Sequence, residues 1–148
     1  MARMLKKRVN ASVTEPRLDL YRRLVIIENG VKIRLPPIEY SLYLLFQAHP
    51  EGIKADKMLL HRDELALIYA GESRYDDKER QRVVIDTLCD RNKAAFYICI
   101  SRIKKRFVSA VGIRKASKYI ICRNNAGVYR ARVCIAQFNT IQLKIKTT

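Results

Sequence analysis

The sequence predicts an α+β fold: antiparallel strands first, three to four helices in the middle, and a β-hairpin last. Three observations carry this reading. Asn29-Gly30 stands between two apolar runs, and it is the turn dipeptide whose two positions accept positive φ. Between Pro36 and Ser109 the apolar residues recur at helical spacing. After Gly112 the period becomes two.

The elements follow in order. Leu24-Val25-Ile26-Ile27 and Val31-Lys32-Ile33-Arg34-Leu35 read as a hairpin, with Val31, Ile33 and Leu35 inward and Lys32 and Arg34 in water. Pro36-Pro37 stops the second strand and opens a helix whose first turn places Glu39 near the positive end of the helix dipole. That helix runs to His49-Pro50 and is apolar nearly all round, so it is expected at the centre of the core. A second helix is expected from Asp56, as its cap, to about Tyr69, burying Met58, Leu59, Leu65, Ile68 and Tyr69 and ending at Gly71. A third is expected over about Asp76 to Asp90, with a short stripe of Val83, Val84 and Leu88 joined by Ile85.

The fourth helix, about Asn92 to Ser109, is the most informative. Phe96, Ile100, Ile103 and Phe107 fall within about 60° of one another on a helical wheel and form a core stripe. The opposite side carries Ala94, Tyr97, Ile98, Ser101, Arg102 and Lys105. Lys118 to Arg123, the turn Asn124-Asn125-Ala126-Gly127, and Val128 to Val133 then read as a hairpin with basic residues on both sides of its tip. The domain therefore spans 17–133, with a helical insertion at about 72–90. A basic arm is expected over 1–16, and a strand or tail over 134–148.

The net charge is +16, and it is unevenly placed. Residues 91–148 hold 14 Lys/Arg and no Asp or Glu, whereas all 14 acids lie in residues 1–90. A field of this size attracts polyanions. None of the four cysteines (Cys89, Cys99, Cys122, Cys134) stands in a CxxC, and neither His49 nor His61 is close to one in sequence, so no metal site or other cofactor is expected. Cysteines inside apolar runs read as small buried hydrophobes. No apolar run follows the N-terminal charges and none is long enough to span a membrane; a cytoplasmic protein with no membrane partner is expected. The sequence offers no nucleophile–base order, no glycine-rich phosphate loop and no HExxH, and predicts no enzyme. His61-Arg62-Asp63-Glu64 reads as a charged helix face, and Asp76-Asp77 as a helix cap rather than a metal site.

Strands, helices and a basic hairpin in this order are the elements of a winged helix-turn-helix, in which one helix enters the major groove and the hairpin reaches the flanking backbone or minor groove. Three segments sharpen this. Leu35-Pro36-Pro37-Ile38-Glu39-Tyr40 resembles the opening of the first helix in the OmpR/PhoB-type response-regulator effector domain. Ile100-Ser101-Arg102-Ile103-Lys104-Lys105-Arg106-Phe107 resembles that family's recognition-helix segment, and Ala126-Gly127-Val128-Tyr129-Arg130 its wing. The matches come in the family's order across residues 18–133. Two departures stand out: Val128 replaces the wing's second glycine, and Gly71 to Asp90 is longer than the loop through which family members commonly meet RNA polymerase.

The resemblance implies a transcriptional regulator that binds duplex DNA sequence-specifically, commonly as two protomers on direct repeats. Arg102 and Lys105 would meet phosphate or base edges, and Arg130 would lie near the backbone. The residues themselves add Lys104, which extends the same charge run without an acid at i,i+4, and Tyr97 and Ser101, one turn apart on the outer face. They also add Arg123 and Asn124 at the hairpin tip, and Arg91 and Lys93 at the helix start, where free amides attract phosphate. Three rival readings share the charge: an RNA-binding or ribosome-associated protein, a plasmid or phage replication protein on the same fold, and a module that docks an acidic protein.

Overall fold

The computed structural model describes residues 16–72, 77–133 and 135. The expected arm over 1–16 and the strand or tail over 134–148 lie outside the described residues except for Pro16 and Ile135, as do Asp76 and Cys134. The fold is mixed α+β, with four helices and two small antiparallel sheets among the described residues.

The first sheet joins β1 (Arg17–Asp19), β2 (Leu24–Ile26) and β3 (Lys32–Arg34) in that order. Leu24 pairs with Arg34 and Ile26 with Lys32 across the expected hairpin. Its turn is a single 3-10 turn, Glu28–Gly30, with Asn29 at φ 68° and Gly30 at φ 74°, the left-handed values that Asn-Gly supplies at least strain. Ile33 and Leu35 are buried and Lys32 and Arg34 exposed, as the alternation requires.

Helix α1 (Pro37–Ala48) opens with proline at N1 and is buried from Glu39 to Ala48. The Tyr40 hydroxyl donates to the carbonyls of Asp19 (3.1 Å) and Leu24 (3.3 Å), and the Tyr43 hydroxyl to that of Tyr119 (2.8 Å). Buried Gln47 holds the chain leaving the final hairpin: its amide donates to the Val133 carbonyl (3.2 Å), and its oxygen accepts from the Ile135 amide (2.8 Å). This helix thus touches both sheets and packs on α2 and α4, as a helix apolar on every side must.

The next segment departs from the sequence reading. After β4 (Ile53–Lys54), residues Ala55–His61 form a 3-10 helix, and α2 spans only Arg62–Glu72. A 3-10 helix repeats every three residues, not 3.6, so the stripe drawn through it shifts. Met58 is buried, but Leu59 is 60% exposed. Asp56 does not cap this segment, which begins after Lys54 without a side-chain cap, and Gly71 lies inside α2 rather than ending it. Helix α3 (Lys78–Leu88) is capped by Asp77, whose carboxylate accepts from the Glu79 amide at 2.9 Å. Its buried residues are Ile85 and Leu88, and Val83 is exposed. The Arg62–Asp86 pair at 2.5 Å ties α2 to α3.

Helix α4 (Ala94–Ala116) runs past the expected end at Ser109 and breaks geometry at Gly112, where φ is 83° and ψ 164°. Phe96, Ile103 and Phe107 are buried and Ile100 packs half-buried beside them. Strands β5 (Ile121–Arg123) and β6 (Val128–Ala131) form the final hairpin, with the turn where the sequence puts it and each strand shorter than expected at the end away from the turn. Short β4 adds to the far edge of β6, giving the order β4-β6-β5. Gly52, at φ 92°, makes this addition possible, since a Cβ there would stand 2.5 Å from Val128 Cγ1 and 2.7 Å from the Tyr129 carbonyl. Among the described residues no helix is long and apolar enough to cross a membrane.

Candidate nucleic-acid interface

Helix α4 presents its basic residues because its other side is used. The Phe107 ring stacks between Tyr43 (5.6 Å) and Tyr119 (6.5 Å), and Phe96 packs on Phe46 (6.4 Å). With that stripe fixed inward, the helical period turns Ser101, Lys105 and Ser109 to the middle of the outer face. Arg102 and Arg106 then lie along one edge and Tyr97 and Lys104 along the other. All of these side chains are exposed.

The first edge meets β3. Lys32, Arg34, Arg102, Lys105 and Arg106 line one groove of about 580 Å³, floored by Ile33, Ser109 and Ala110. Arg106 is engaged, its Nε donating to Glu39 Oε1 at 2.6 Å. The other four cations have no acidic partner among the described residues. In the sequence, Lys32 and Arg34 read only as the wet face of a strand. The alternation gives their direction, but their neighbourhood depends on α4 crossing β3, more than 60 residues later in the chain. Arg34 and Arg106 also border a hollow of about 500 Å³ with Arg23, whose Nε is buried without a hydrogen-bond partner.

The second edge meets the hairpin. Tyr129 of β6 stands edge-on to Phe96 (5.1 Å) and beside Tyr97 (6.3 Å), so the aromatic residues hold the hairpin against the start of α4. Burial and the neighbouring Tyr97 raise the Tyr129 pKa, and the hydroxyl keeps its proton as a donor at neutral pH. Arg123 and Arg130 are exposed and have no acidic partner among the described residues. Asn124 closes the hairpin turn, its Oδ1 accepting from the amides of Ala126 (2.9 Å) and Val128 (3.0 Å).

Arg91 and Lys93 stand just before the first turn of α4. They line a different hollow shared with Asp56, Asp86 and Asp90, so the local field at the helix start is mixed rather than basic. Lys93 is in the left-handed conformation (φ 59°) and caps α4 without a side-chain hydrogen bond. The structure thus gathers Lys32, Arg34, Arg102 and Lys105 in one groove and sets Arg123, on the Tyr129 face of the hairpin, toward the Tyr97 edge of α4; Arg130 alternates to the opposite face of β6, and Arg91 and Lys93 line the separate, mixed hollow.

Comparison with protein-family models, curated proteins and solved structures gives no match to this chain.

Proposed function

We propose that this chain is a winged helix-turn-helix protein that binds duplex DNA sequence-specifically and regulates transcription without enzymatic activity. In this reading α4 is the recognition helix and β5–β6 is the wing. The observation that carries it is the set of cations on α4, β3 and the hairpin that have no acidic partner among the described residues, four of them (Lys32, Arg34, Arg102 and Lys105) lining one groove. Two further features support it. The order β4-β6-β5 attaches the hairpin to the strand between α1 and α2, which suits a wing that must accompany its helix. The middle of the outer face of α4 carries Ser101 and Ser109, small enough for a helix to sit deep in a groove about 12 Å wide. Arg102 and Lys105 are assigned base-edge or phosphate contacts. Lys32, Arg34, Lys104, Arg123 and Arg130 are assigned the backbone, which gives affinity without sequence information.

Selection of bound sequences from random duplex DNA tests the proposal. Enrichment of a short motif supports it, and a repeated motif at fixed spacing adds a pair of protomers. No enrichment together with tighter binding of structured RNA moves the assignment to RNA. One observation favours that second reading: the exposed Tyr97 ring beside Tyr129 is a surface on which an unpaired base can stack. Tyr119 offers no such surface, being buried with its hydroxyl donating to Glu28 at 3.1 Å.

A further inference from the structure

The fold brings together three residues that the sequence keeps apart. His49 follows α1, His61 ends the 3-10 segment, and Glu64 lies in the first turn of α2. His49 Nε2 is 2.7 Å from Glu64 Oε1, and His61 Nδ1 is 3.6 Å from the same oxygen. The two rings meet edge-on at 4.6 Å. One ligand atom from each of the three lies within 4.8 Å of the other two. The other nitrogen of His49, Nδ1, is 3.1 Å from Glu51 Oε2. Glu64 is thus not part of a solvated helix face; it turns toward α1.

We infer that His49, His61 and Glu64 form a binding site for a transition-metal dication of the zinc class, with Glu51 orienting His49. Hydrogen bonds can close the His49 side of this cluster but not the His61 side. The His61–Glu64 separation is beyond hydrogen-bond length, and His49 can donate to both carboxylates only when doubly protonated. A dication at about 2.0–2.2 Å from each ligand atom would satisfy both imidazoles and the shared carboxylate at once. The outer carboxylate on the far nitrogen of His49 is the arrangement that fixes tautomer and ring direction in such sites. Two imidazoles with one carboxylate suit zinc, cobalt, nickel or copper. Calcium and magnesium prefer all-oxygen sets. The three side chains are each 20–26% exposed, so an ion can enter. The cysteines are not needed, and buried Cys89 and Cys99 lie on other elements.

The inference is independent of DNA binding and is tested on the full chain by titration with Co²⁺, followed by displacement with Zn²⁺. The expected result is one equivalent of Co²⁺ with visible absorption of low-coordinate nitrogen–oxygen ligation and no thiolate charge-transfer band. His61→Asn and Glu64→Gln, both at partly exposed positions and each checked for native circular dichroism, are expected to weaken binding by about tenfold or more. No uptake by the wild-type chain, a thiolate band, or uptake unchanged in whichever variant folds overturns the assignment.

Discussion

Arg106 Nε lies 2.6 Å from Glu39 Oε1, joining the outer edge of α4 to the first turn of α1. The carboxylate is 5% exposed and the guanidinium 42%. Glu39 therefore does two things: it sits at the positive end of α1, and it sets how α4 is held beside the first sheet.

Arg106→Ala leaves that carboxylate buried without its partner. Breaking a fully buried pair costs about 3–5 kcal/mol, and the exposure of Arg106 lowers the expectation to about 2 kcal/mol. Urea unfolding is expected to show a lower midpoint with an unchanged slope. Glu39→Gln, which keeps an acceptor and removes the charge, is expected to cost less.

Gly52→Ala tests the attachment of the hairpin. The substitution places a Cβ at positive φ against Val128 and the Tyr129 carbonyl, and backbone cannot move aside as a side chain can. A loss of about 2 kcal/mol or more is expected, read by thermal or urea unfolding. Duplex-DNA affinity is expected to fall as well, at temperatures where the variant remains folded, because β6 must shift.

Burial pushes the Cys89 thiol up to about 11 and the Cys99 thiol up to about 12. The thiolate is the reactive form, and at pH 8 Cys89 holds it in about one molecule in a thousand. Both are expected to resist alkylation in the folded protein and to react after denaturation, while half-buried Cys122 reacts earlier than either. Peptide mass spectrometry after timed iodoacetamide treatment reads the order directly.

Lys32 and Arg34 are the residues that spacing alone does not assign to the interface. If they meet phosphates, Lys32→Ala with Arg34→Ala weakens binding to all duplexes alike and makes the log–log salt slope shallower by about 2. A change confined to one sequence would instead assign them to base readout.

What is legible in the sequence is local. Asn29-Gly30 fixes its turn through its own φ preferences, and Phe96, Ile103 and Phe107 reveal the inward face of α4 through spacing alone. Leu59 departs from its expected burial because the segment around it winds as a 3-10 helix, which a 3.6-residue pattern does not describe. Val83 departs because the short stripe of α3 fits two rotations, and packing on α2 and α4 chooses Ile85 and Leu88. The groove between β3 and α4 and the convergence of His49, His61 and Glu64 depend on contacts between distant segments, for which spacing carries no signal. The acid-free C-terminal stretch is legible as charge alone; among the described residues the fold places part of that charge on α4 and the hairpin, and sets Lys32 and Arg34, from a segment whose own charge is nearly balanced, beside α4.

The salt dependence of duplex-DNA affinity tests the central claim most directly. Fluorescence anisotropy of a labelled duplex, titrated at a series of sodium chloride concentrations, is expected to give a log–log slope of about −5 or steeper if about six phosphates are met. A slope near zero, or no binding at the lowest salt, would contradict an interface built from Lys32, Arg34, Arg102, Lys104, Lys105, Arg123 and Arg130.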